Sequence, residues 1–529
     1  MNRTIKVVGT AAVLLFLAGT SCTDPTVVPK SSISSANVFD DPNSYRAFIA
    51  KIYGGLIVTG QRGPDGNADI QDIDEGFSEY LRLYWYLQEM PTDEAVIGWG
   101  DPGLATLNRG TWGDGNEMVN AMFARIFYQI MLANEFLRQS TDAKLDSRGQ
   151  MDPTLRTNVH FYRAEARFLR ALSYSHGVDL FGNIPLVTEN DPLGSTPPAQ
   201  ATRAEVYAYV VSELNDIISQ LPPHGANTYG RATADAAHML LASLFLNAAV
   251  YTGTPNYSAA LAEAQTVISS SAGYAIDTSL AGFLHNFQAD NNTSPELIFV
   301  AAQDGNRTQT WGGMTFLIHA GCGGQMQAPN YGIDYCWGGY RMKQQTYNRF
   351  AAGDRRRSIF FTTGQQVAVD TIEQFSNGIA APKFTNIRSG GGRGAQSGMV
   401  DTDFPIFRLA EAYLIYTEAN LRGGGGNATD ALNYFNALRV RAYGNASGVL
   451  TAGQLTVDTV LAERNRELLF EAKRRTDLVR FGLFQPGTYV WAWKGGVAGG
   501  TALASGRDLY PIPANELILN PNLHQNPGY

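Results

Sequence analysis

Apolar residues recur every three or four positions along most of this 529-residue chain, with polar residues between them. That spacing is typical of helices that bury one face and expose the other. It predicts eight long helices, over residues 116–139, 156–181, 203–221, 233–251, 257–269, 404–421, 431–442 and 459–481. Proline and glycine end several of them, for example at Pro222–Pro223 and at Gly253. The pattern therefore predicts a mainly α fold.

The predicted helices follow one another in pairs, with short joints inside each pair. This order is typical of a tetratricopeptide-like solenoid of helical hairpins. A regular repeat of ~34 residues is not visible, so the repeats would be degenerate. We expect a helical-hairpin solenoid with long loop insertions.

Two loop-rich blocks, residues 54–115 and 306–340, interrupt the helices and hold five of the seven tryptophans. They contain many glycines, and the tryptophans are Trp85, Trp99, Trp112, Trp311 and Trp337. Loops of this length inside a compact domain usually carry function. Exposed aromatic rings on such loops suit stacking against flat ligands.

The N-terminus has the order of a secretory signal. Arg3 and Lys6 precede an apolar run over 7–18, and three small residues lead to Cys22. We predict a lipoprotein signal peptide over 1–21, acylation of Cys22, and a Ser-, Thr- and Pro-rich tether over 22–35. The alternative is ordinary signal cleavage near a Cys that is not modified.

Charge and motifs exclude several functions. The formal net charge of −8 does not suit nucleic acid, which binds clustered Lys and Arg. The sequence has neither the GxxxxGK[ST] phosphate loop nor the GxSxG nucleophile motif. The seven histidines lie at least fourteen positions apart, so no helical His pair offers a metal site. We predict no enzymatic activity, no cofactor and no metal.

Two further cysteines, Cys322 and Cys336, lie within the second loop block. A disulfide between them is expected in an oxidising compartment. The alternative is two free, buried thiols.

The most charged predicted helix is AERNRELLFEAKRRTDLVRFG, residues 462–482. Glu471 with Arg475 and Asp477 with Arg480 have the spacing of helical ion pairs. This segment resembles the RxxELxFExxRxxDLxRxG motif of the SusD/RagB family of outer-membrane nutrient-binding lipoproteins. Ala472 stands where the family usually has Gly. Three further stretches, residues 164–189, 404–424 and 510–529, are similar to other motifs of the family, in the same order.

The resemblance covers essentially all of the chain after Cys22 and implies a single SusD-like domain over 36–529. Its N-terminal part would run to about residue 300 and its C-terminal part from there to 529. The family has a tetratricopeptide-like helical fold and is not enzymatic. Its members are lipid-anchored at the cell surface and form a lid on a SusC-like TonB-dependent transporter.

The resemblance implies that the chain captures oligosaccharides and passes them to such a transporter. The same scaffold also serves other nutrients, so a peptide or another non-sugar ligand is the first alternative. A helical-repeat assembly lipoprotein without a small ligand is the second.

The family has no shared ligand motif, so candidate site residues come from the two aromatic loops. Sugar rings stack on Trp and Tyr, while Asp, Asn and Arg bind hydroxyl groups. The first loop supplies Trp99, Asp101, Asn108, Arg109 and Trp112. The second supplies Tyr331, Asp334, Trp337, Tyr340 and Arg341. We predict that the two loops converge on the ligand; for any one aromatic residue the alternative is an anchor in the core.

The last twenty residues contain four prolines, which restrict the chain and favour an ordered, extended tail. We predict that this tail is a clasp against the helices. The apolar residues expected to pack are Tyr510, Ile512, Leu517, Leu519 and Leu523.

Overall fold

The computed structural model describes residues 37–529 except 65, 72, 193, 195, 226 and 227. It is mainly α-helical, which confirms the predicted fold class. The predicted signal peptide, Cys22 and the tether lie outside the described residues. The helices are α1 (Asn43–Gly54), α2 (Tyr80–Glu89), α3 (Leu104–Arg109), α4 (Glu117–Gln139), α5 (Asp142–Ser147), α6 (Pro153–Leu180), α7 (Arg203–Ile217), α8 (Ala234–Leu246), α9 (Ala248–Thr252), α10 (Tyr257–Ile268), α11 (Leu280–His285), α12 (Gly313–Ala320), α13 (Gln344–Tyr347), α14 (Leu409–Leu421), α15 (Ala428–Tyr443), α16 (Val457–Glu467), α17 (Arg474–Arg480) and α18 (Ala514–Leu519). The short strands are β1 (Gly60–Arg62), β2 (Gly66–Ala68), β3 (Ala95–Ile97), β4 (Ile184–Pro185), β5 (Gln200–Ala201), β6 (Leu297–Ala301), β7 (Tyr340–Met342) and β8 (Phe404–Arg408).

The helix ends follow local sequence chemistry. At the start of α6, the Asp152 carboxylate accepts hydrogen bonds from the backbone N–H groups of Thr154 and Leu155, and Pro153 occupies the first turn. The helix stops before Gly182, whose φ of 73° is in the left-handed region. A capping box between Thr202 and Glu205 starts α7.

The long helices pack in a row. Helix α4 packs on α6, α6 on α7, α7 on α8, α8 on α10, α10 on α14, and α14 on α15. Contacts between neighbours of this kind are typical of helical repeat arrays. Helices α10 and α14 are adjacent although residues 269–408 separate them, so this long insertion leaves the row and returns to it.

The two parts of the chain share one core. Strand β6, at the expected boundary near residue 300, pairs antiparallel with β8, with Ala301 opposite Phe404. A single cluster of buried apolar residues extends along the sequence from Phe39 to Leu523. The loop insertions are therefore packed onto the helices by the same core that holds the helices together.

The prediction of one helix over 459–481 is wrong. Between α16 and α17 the backbone turns, and Phe470 and Ala472 have φ values of 62° and 57°. Buried side chains satisfy the freed backbone groups: Trp85 Nε1 donates to the Phe470 carbonyl at 3.0 Å, and the Phe470 N–H donates to Glu94 Oε2 at 2.9 Å. Lys383 Nζ donates to the Leu469 carbonyl at 2.9 Å. These tertiary hydrogen bonds replace those of a continuous helix.

Glu467, at the end of α16, is the centre of a buried ionic network. Its carboxylate lies 2.7 Å from Arg408 Nη1, 2.6 Å from Arg441 Nη2 and 2.9 Å from Arg356 Nη1. All four side chains are at most 2% exposed. The network therefore joins α16 to β8, to α15 and to the insertion that holds Arg356.

The predicted pairing of Glu471 with Arg475 is also wrong, because the helix break separates them. Glu471 instead pairs with Arg408 at 2.7 Å and with Lys383 at 2.5 Å. Arg475 pairs with Asp179 of α6 at 2.9 Å. The predicted Asp477–Arg480 pair is present at 2.8 Å.

Protonation of Glu463 is expected to account for part of the loss of folding stability at acidic pH. Burial raises its pKa, but Arg356, Arg466 and Arg439 outweigh burial and lower the pKa to about 2. A carboxyl whose pKa is lower in the folded state stabilises the fold above its unfolded pKa, and that stabilisation is lost as the pH falls. We expect about 3 kcal/mol of unfolding free energy to disappear between pH 4.5 and 2.

Urea titrations of the wild type and Glu463→Gln across this pH range measure the effect. The variant should be less stable at pH 7, and the difference between the two proteins should shrink toward pH 2. A difference that does not change with pH would contradict the assignment.

The C-terminal segment is folded onto the helices. Tyr510 and Ile512 are fully buried, and the Tyr510 hydroxyl donates to the Leu87 carbonyl at 2.7 Å. Asn526 Nδ2 donates to the Phe181 and Tyr510 carbonyls at 2.8 and 2.7 Å. Leu519, which we expected to pack, is 73% exposed because α18 buries none of its residues.

Candidate functional site

Strand pairing brings the two aromatic loops together. In the antiparallel pair of β3 and β7, Ile97 lies opposite Tyr340. The chain that leaves β3 therefore runs beside the chain that enters β7. Trp99 Nε1 donates to the Gly338 carbonyl at 3.2 Å, although 239 positions separate the two residues.

Trp337 is the centre of a group of rings that we call the aromatic cluster. Its ring centroid lies 6.3 Å from Trp99, 6.1 Å from Trp311, 6.3 Å from Tyr335 and 4.8 Å from His319. The three tryptophans are half-buried and Tyr335 is 52% exposed. Several aromatic side chains at one place thus keep part of their surface open to solvent.

Arg82 of α2 contacts the cluster from the protein interior. Its Nη1 donates to the Trp311 carbonyl at 2.9 Å and to the Gly76 carbonyl at 2.6 Å. Its guanidinium carbon lies 5.7 Å from the Trp99 ring centroid and 4.5 Å from that of Phe316. One buried cation therefore contacts two tryptophan segments that are far apart in sequence.

His319 fixes the position of Tyr335. Its Nδ1 donates to the Tyr335 carbonyl at 2.9 Å, and Nδ1 lies 3.9 Å from Asp334 Oδ1. Burial lowers the pKa of His319, so the imidazole is neutral at physiological pH. The residue is thus a structural support of the cluster.

One carboxylate contacts the cluster directly, and two further predicted polar residues are partly open to solvent. Asp334 is exposed, and its Oδ1 accepts a hydrogen bond from the Tyr335 N–H at 2.9 Å. Asp101 and Tyr331 are half-buried. Trp337 Nε1 is buried and has no hydrogen-bond partner among the described residues. Solvent does not reach this N–H, so the part of Trp337 that is open to a ligand is its ring and not the indole nitrogen.

Four of the predicted residues lie in the protein interior instead. Trp112 packs on Tyr510 and donates from Nε1 to the Tyr529 hydroxyl at 2.6 Å. Tyr340 packs on Trp85 and donates to the Leu317 carbonyl at 2.9 Å. These two rings anchor their loops in the core. That was the alternative given above for any one aromatic residue.

The polar side-chain atoms of the other two, Asn108 and Arg341, form hydrogen bonds with backbone groups. Asn108 Nδ2 donates to the Ile97 carbonyl at 2.6 Å, and its Oδ1 accepts from the Ile97 N–H at 3.1 Å. Arg341 donates to five backbone carbonyls, those of residues 96, 339, 372, 374 and 377. Their hydrogen-bonding capacity is used to hold the loops that carry the cluster.

Arg109 is half-buried and lies apart from the cluster. Its guanidinium carbon is 5.4 Å from the Trp493 ring centroid, and its Nη2 is 3.5 Å from Glu373 Oε1. The remaining predicted residues are Trp99, Asp101, Tyr331, Asp334 and Trp337, and we retain them as the candidate site.

Sequence analysis did not single out Trp311, Tyr335, His319 and Arg82, which the structure places in or against the aromatic cluster. Trp311 and Tyr335 lie in the second loop block, so the aromatic content of that block was a usable signal. For Arg82, within a helix, the sequence carries no such signal.

A cavity of about 90 Å³ lies elsewhere, between α2, α6 and the segment that contains α17. Its charged groups pair with one another: Lys473 Nζ lies 3.2 Å from Glu411 Oε2, and Arg480 lies 2.8 Å from Asp477. Burial lowers the pKa of His176 in its wall to about 3. Since most of the walls are apolar and the ions are paired, we place the candidate site at the aromatic cluster.

Within the described part of the chain, no group of three or more His, Cys, Asp and Glu side chains is arranged to hold a metal ion. Across the same residues, none of the helices has the length and apolar character needed to span a membrane.

The chain is similar to several known proteins. It is 32% identical to the starch-binding protein SusD of Bacteroides thetaiotaomicron, and the alignment covers 100% of both chains. The model of the SusD family matches residues 366–529.

Solved structures show the same fold. A SusD homologue from Bacteroides thetaiotaomicron has a TM-score of 0.72 at 18% identity, covering 94% of this chain and 98% of its own. Surface glycan-binding protein A from the same species, in complex with laminarihexaose, has a TM-score of 0.68 at 21% identity, covering 91% and 98%. With full-length similarity to SusD, a family-model match and a shared fold, the chain belongs to the SusD family.

Proposed function

We propose that this protein is a non-catalytic glycan-binding lipoprotein that captures oligosaccharides at the aromatic cluster. The observation that carries this proposal is the convergence of Trp99, Trp311, Tyr335 and Trp337 at one partly exposed place. The apolar faces of sugar rings stack on such side chains. The relatives are described as binding proteins, which supports the non-catalytic assignment.

Polar contacts are assigned to the groups beside the rings. The carboxylates of Asp101 and Asp334 accept hydrogen bonds from sugar hydroxyl groups. Tyr331 contributes a further hydroxyl at the edge. Stacking supplies most of the affinity in this arrangement, while the carboxylates orient the sugar.

The names of the relatives suggest which glycans to test first. One relative is described as starch-binding and a structural neighbour was solved with laminarihexaose. Both ligands are built of glucose, with different linkages. Maltoheptaose and laminarihexaose are therefore the first probes.

A lipid on Cys22 anchors the protein to the outer membrane, where it faces the cell exterior and delivers its ligand to a SusC-like TonB-dependent transporter. The signal sequence and membership of the SusD family support this part of the proposal. Cys22→Ala should move the protein from the membrane fraction to the soluble fraction. The wild type should copurify with a TonB-dependent transporter from solubilised membranes.

Affinity electrophoresis and calorimetry with the two probes and a wider glycan panel test the main proposal. We expect retention by at least one glycan and no hydrolysis products after long incubation. A protein that binds no glycan in the panel but retains peptides would overturn the sugar assignment, and release of shortened sugars would overturn the non-catalytic one.

A further inference from the structure

The short segment Cys336–Gly339 lies along the C-terminal end of α12. The N–H groups of Trp337, Gly338 and Gly339 donate to the carbonyls of His319, Cys322 and Ala320 at 2.9, 2.8 and 2.9 Å. We call it the 336–339 segment. Three consecutive backbone hydrogen bonds fix the position and the orientation of this segment relative to the end of α12.

A disulfide joins the same two pieces of chain. Cys322, just after α12, is bonded to Cys336, with the Cα atoms 4.8 Å apart. Cys336 stands between Tyr335 and Trp337, which both belong to the aromatic cluster. The covalent link therefore lies next to the rings that are proposed to bind the sugar.

Trp99, from the other loop, rests on this segment as well. It donates from Nε1 to the Gly338 carbonyl. A Cβ atom on Gly339 would lie 2.6 Å from Trp99 Cζ2 and 2.7 Å from Ala320 Cβ. Gly339 is thus required for the present contact, because any side chain there would push Trp99 or the segment away.

We propose that the Cys322–Cys336 disulfide and Gly339 are positioning residues for glycan binding, because they hold Trp337 and Trp99 in their binding geometry before the ligand arrives. The inference rests on the proposed function. Rings held in place lose little conformational freedom when a sugar stacks on them, so the affinity is higher than for mobile rings. Cys322 belongs to the same apolar core that holds the helices, so the test must separate a loss of ring position from a loss of fold.

Two variants test the inference independently. The double replacement Cys322→Ala/Cys336→Ala removes the bond, and Gly339→Ala keeps the bond but displaces Trp99. Gly113→Ala, in the first loop block, is the matched control, because a Cβ there would meet no atom within 4 Å. Far-UV circular dichroism and the thermal midpoint establish that each protein is folded.

Calorimetry with the glycan that the wild type binds best measures the affinity, and acrylamide quenching of tryptophan fluorescence measures ring mobility without ligand. We expect both test variants to bind about ten-fold more weakly and to be quenched more strongly, with Gly113→Ala unchanged. Affinity equal to that of the wild type in both test variants would overturn the inference while leaving the proposed function intact.

If the wild type binds no glycan, the proposed function fails. The quenching measurement then tests on its own whether the disulfide and Gly339 hold the tryptophan rings in place. Unchanged quenching in both test variants would then overturn it.

Discussion

Replacing Trp337 by alanine is expected to weaken glycan binding by about a hundred-fold, or about 3 kcal/mol. Its ring is the only one in the cluster with centroid contacts to Trp99, Trp311, Tyr335 and His319 among the described residues. Removal therefore takes away a stacking face and the packing of its neighbours. Calorimetry with maltoheptaose or laminarihexaose, whichever the wild type binds, measures the loss.

Trp493→Ala is the matched control. Trp493 is also half-buried, and its Nε1 donates to the Val369 carbonyl at 2.8 Å, outside the aromatic cluster. We expect its affinity to stay within about two-fold of the wild type, since truncations outside a binding centre cost little. Equal affinities for Trp337→Ala and the wild type, with both proteins folded, would place the ligand elsewhere.

Glu467→Gln is expected to lower the free energy of unfolding by about 3–5 kcal/mol. The substitution keeps the shape of the side chain but removes the charge that faces Arg408, Arg441 and Arg356. Breaking one member of a buried ionic network leaves uncompensated charges away from water, which is the costly case. Urea denaturation at pH 7 measures the change.

Glu373→Gln gives the comparison for an exposed ion pair. Its side chain is 63% exposed and lies 3.5 Å from Arg109, so its loss should cost less than about 1 kcal/mol. A similar small cost for Glu467→Gln would show that water or rearrangement compensates the buried charges. At temperatures where Glu467→Gln remains folded, its glycan affinity should equal that of the wild type, which separates a structural role from a binding one.

Periodicity correctly predicts helices whose start signals lie in neighbouring residues of the sequence. Asp152 before Pro153 and the Thr202–Glu205 capping box are visible in the sequence, and α6 and α7 begin there. The break between α16 and α17 is not visible, because Ala472 is a good helix former. Phe470, two residues earlier, is also in the left-handed region, and it hydrogen-bonds to Trp85 and Glu94, which are far away in the sequence.

The candidate site shows the same limit. The residue types on the two loops indicate aromatic chemistry, and Trp99 and Trp337 are indeed adjacent. Residue type alone does not say whether a ring is exposed: Trp112 and Tyr340 come from the same loops and are buried. Arg82 could not be found because its contact with Trp311 joins residues 229 positions apart.

The C-terminal segment also determines when the fold can be completed. The hydrogen bond between Trp112 and Tyr529 joins residues 417 positions apart in the sequence. The hydrogen bond between Tyr510 and Leu87 joins residues 423 positions apart. Contacts between such distant positions form late, because a large loop must close before they are gained. Until residues 510–529 have folded back, α2 and the first aromatic loop lack these partners. Helix α2 and the first aromatic loop therefore reach their final packing only after residues 510–529 have docked on them.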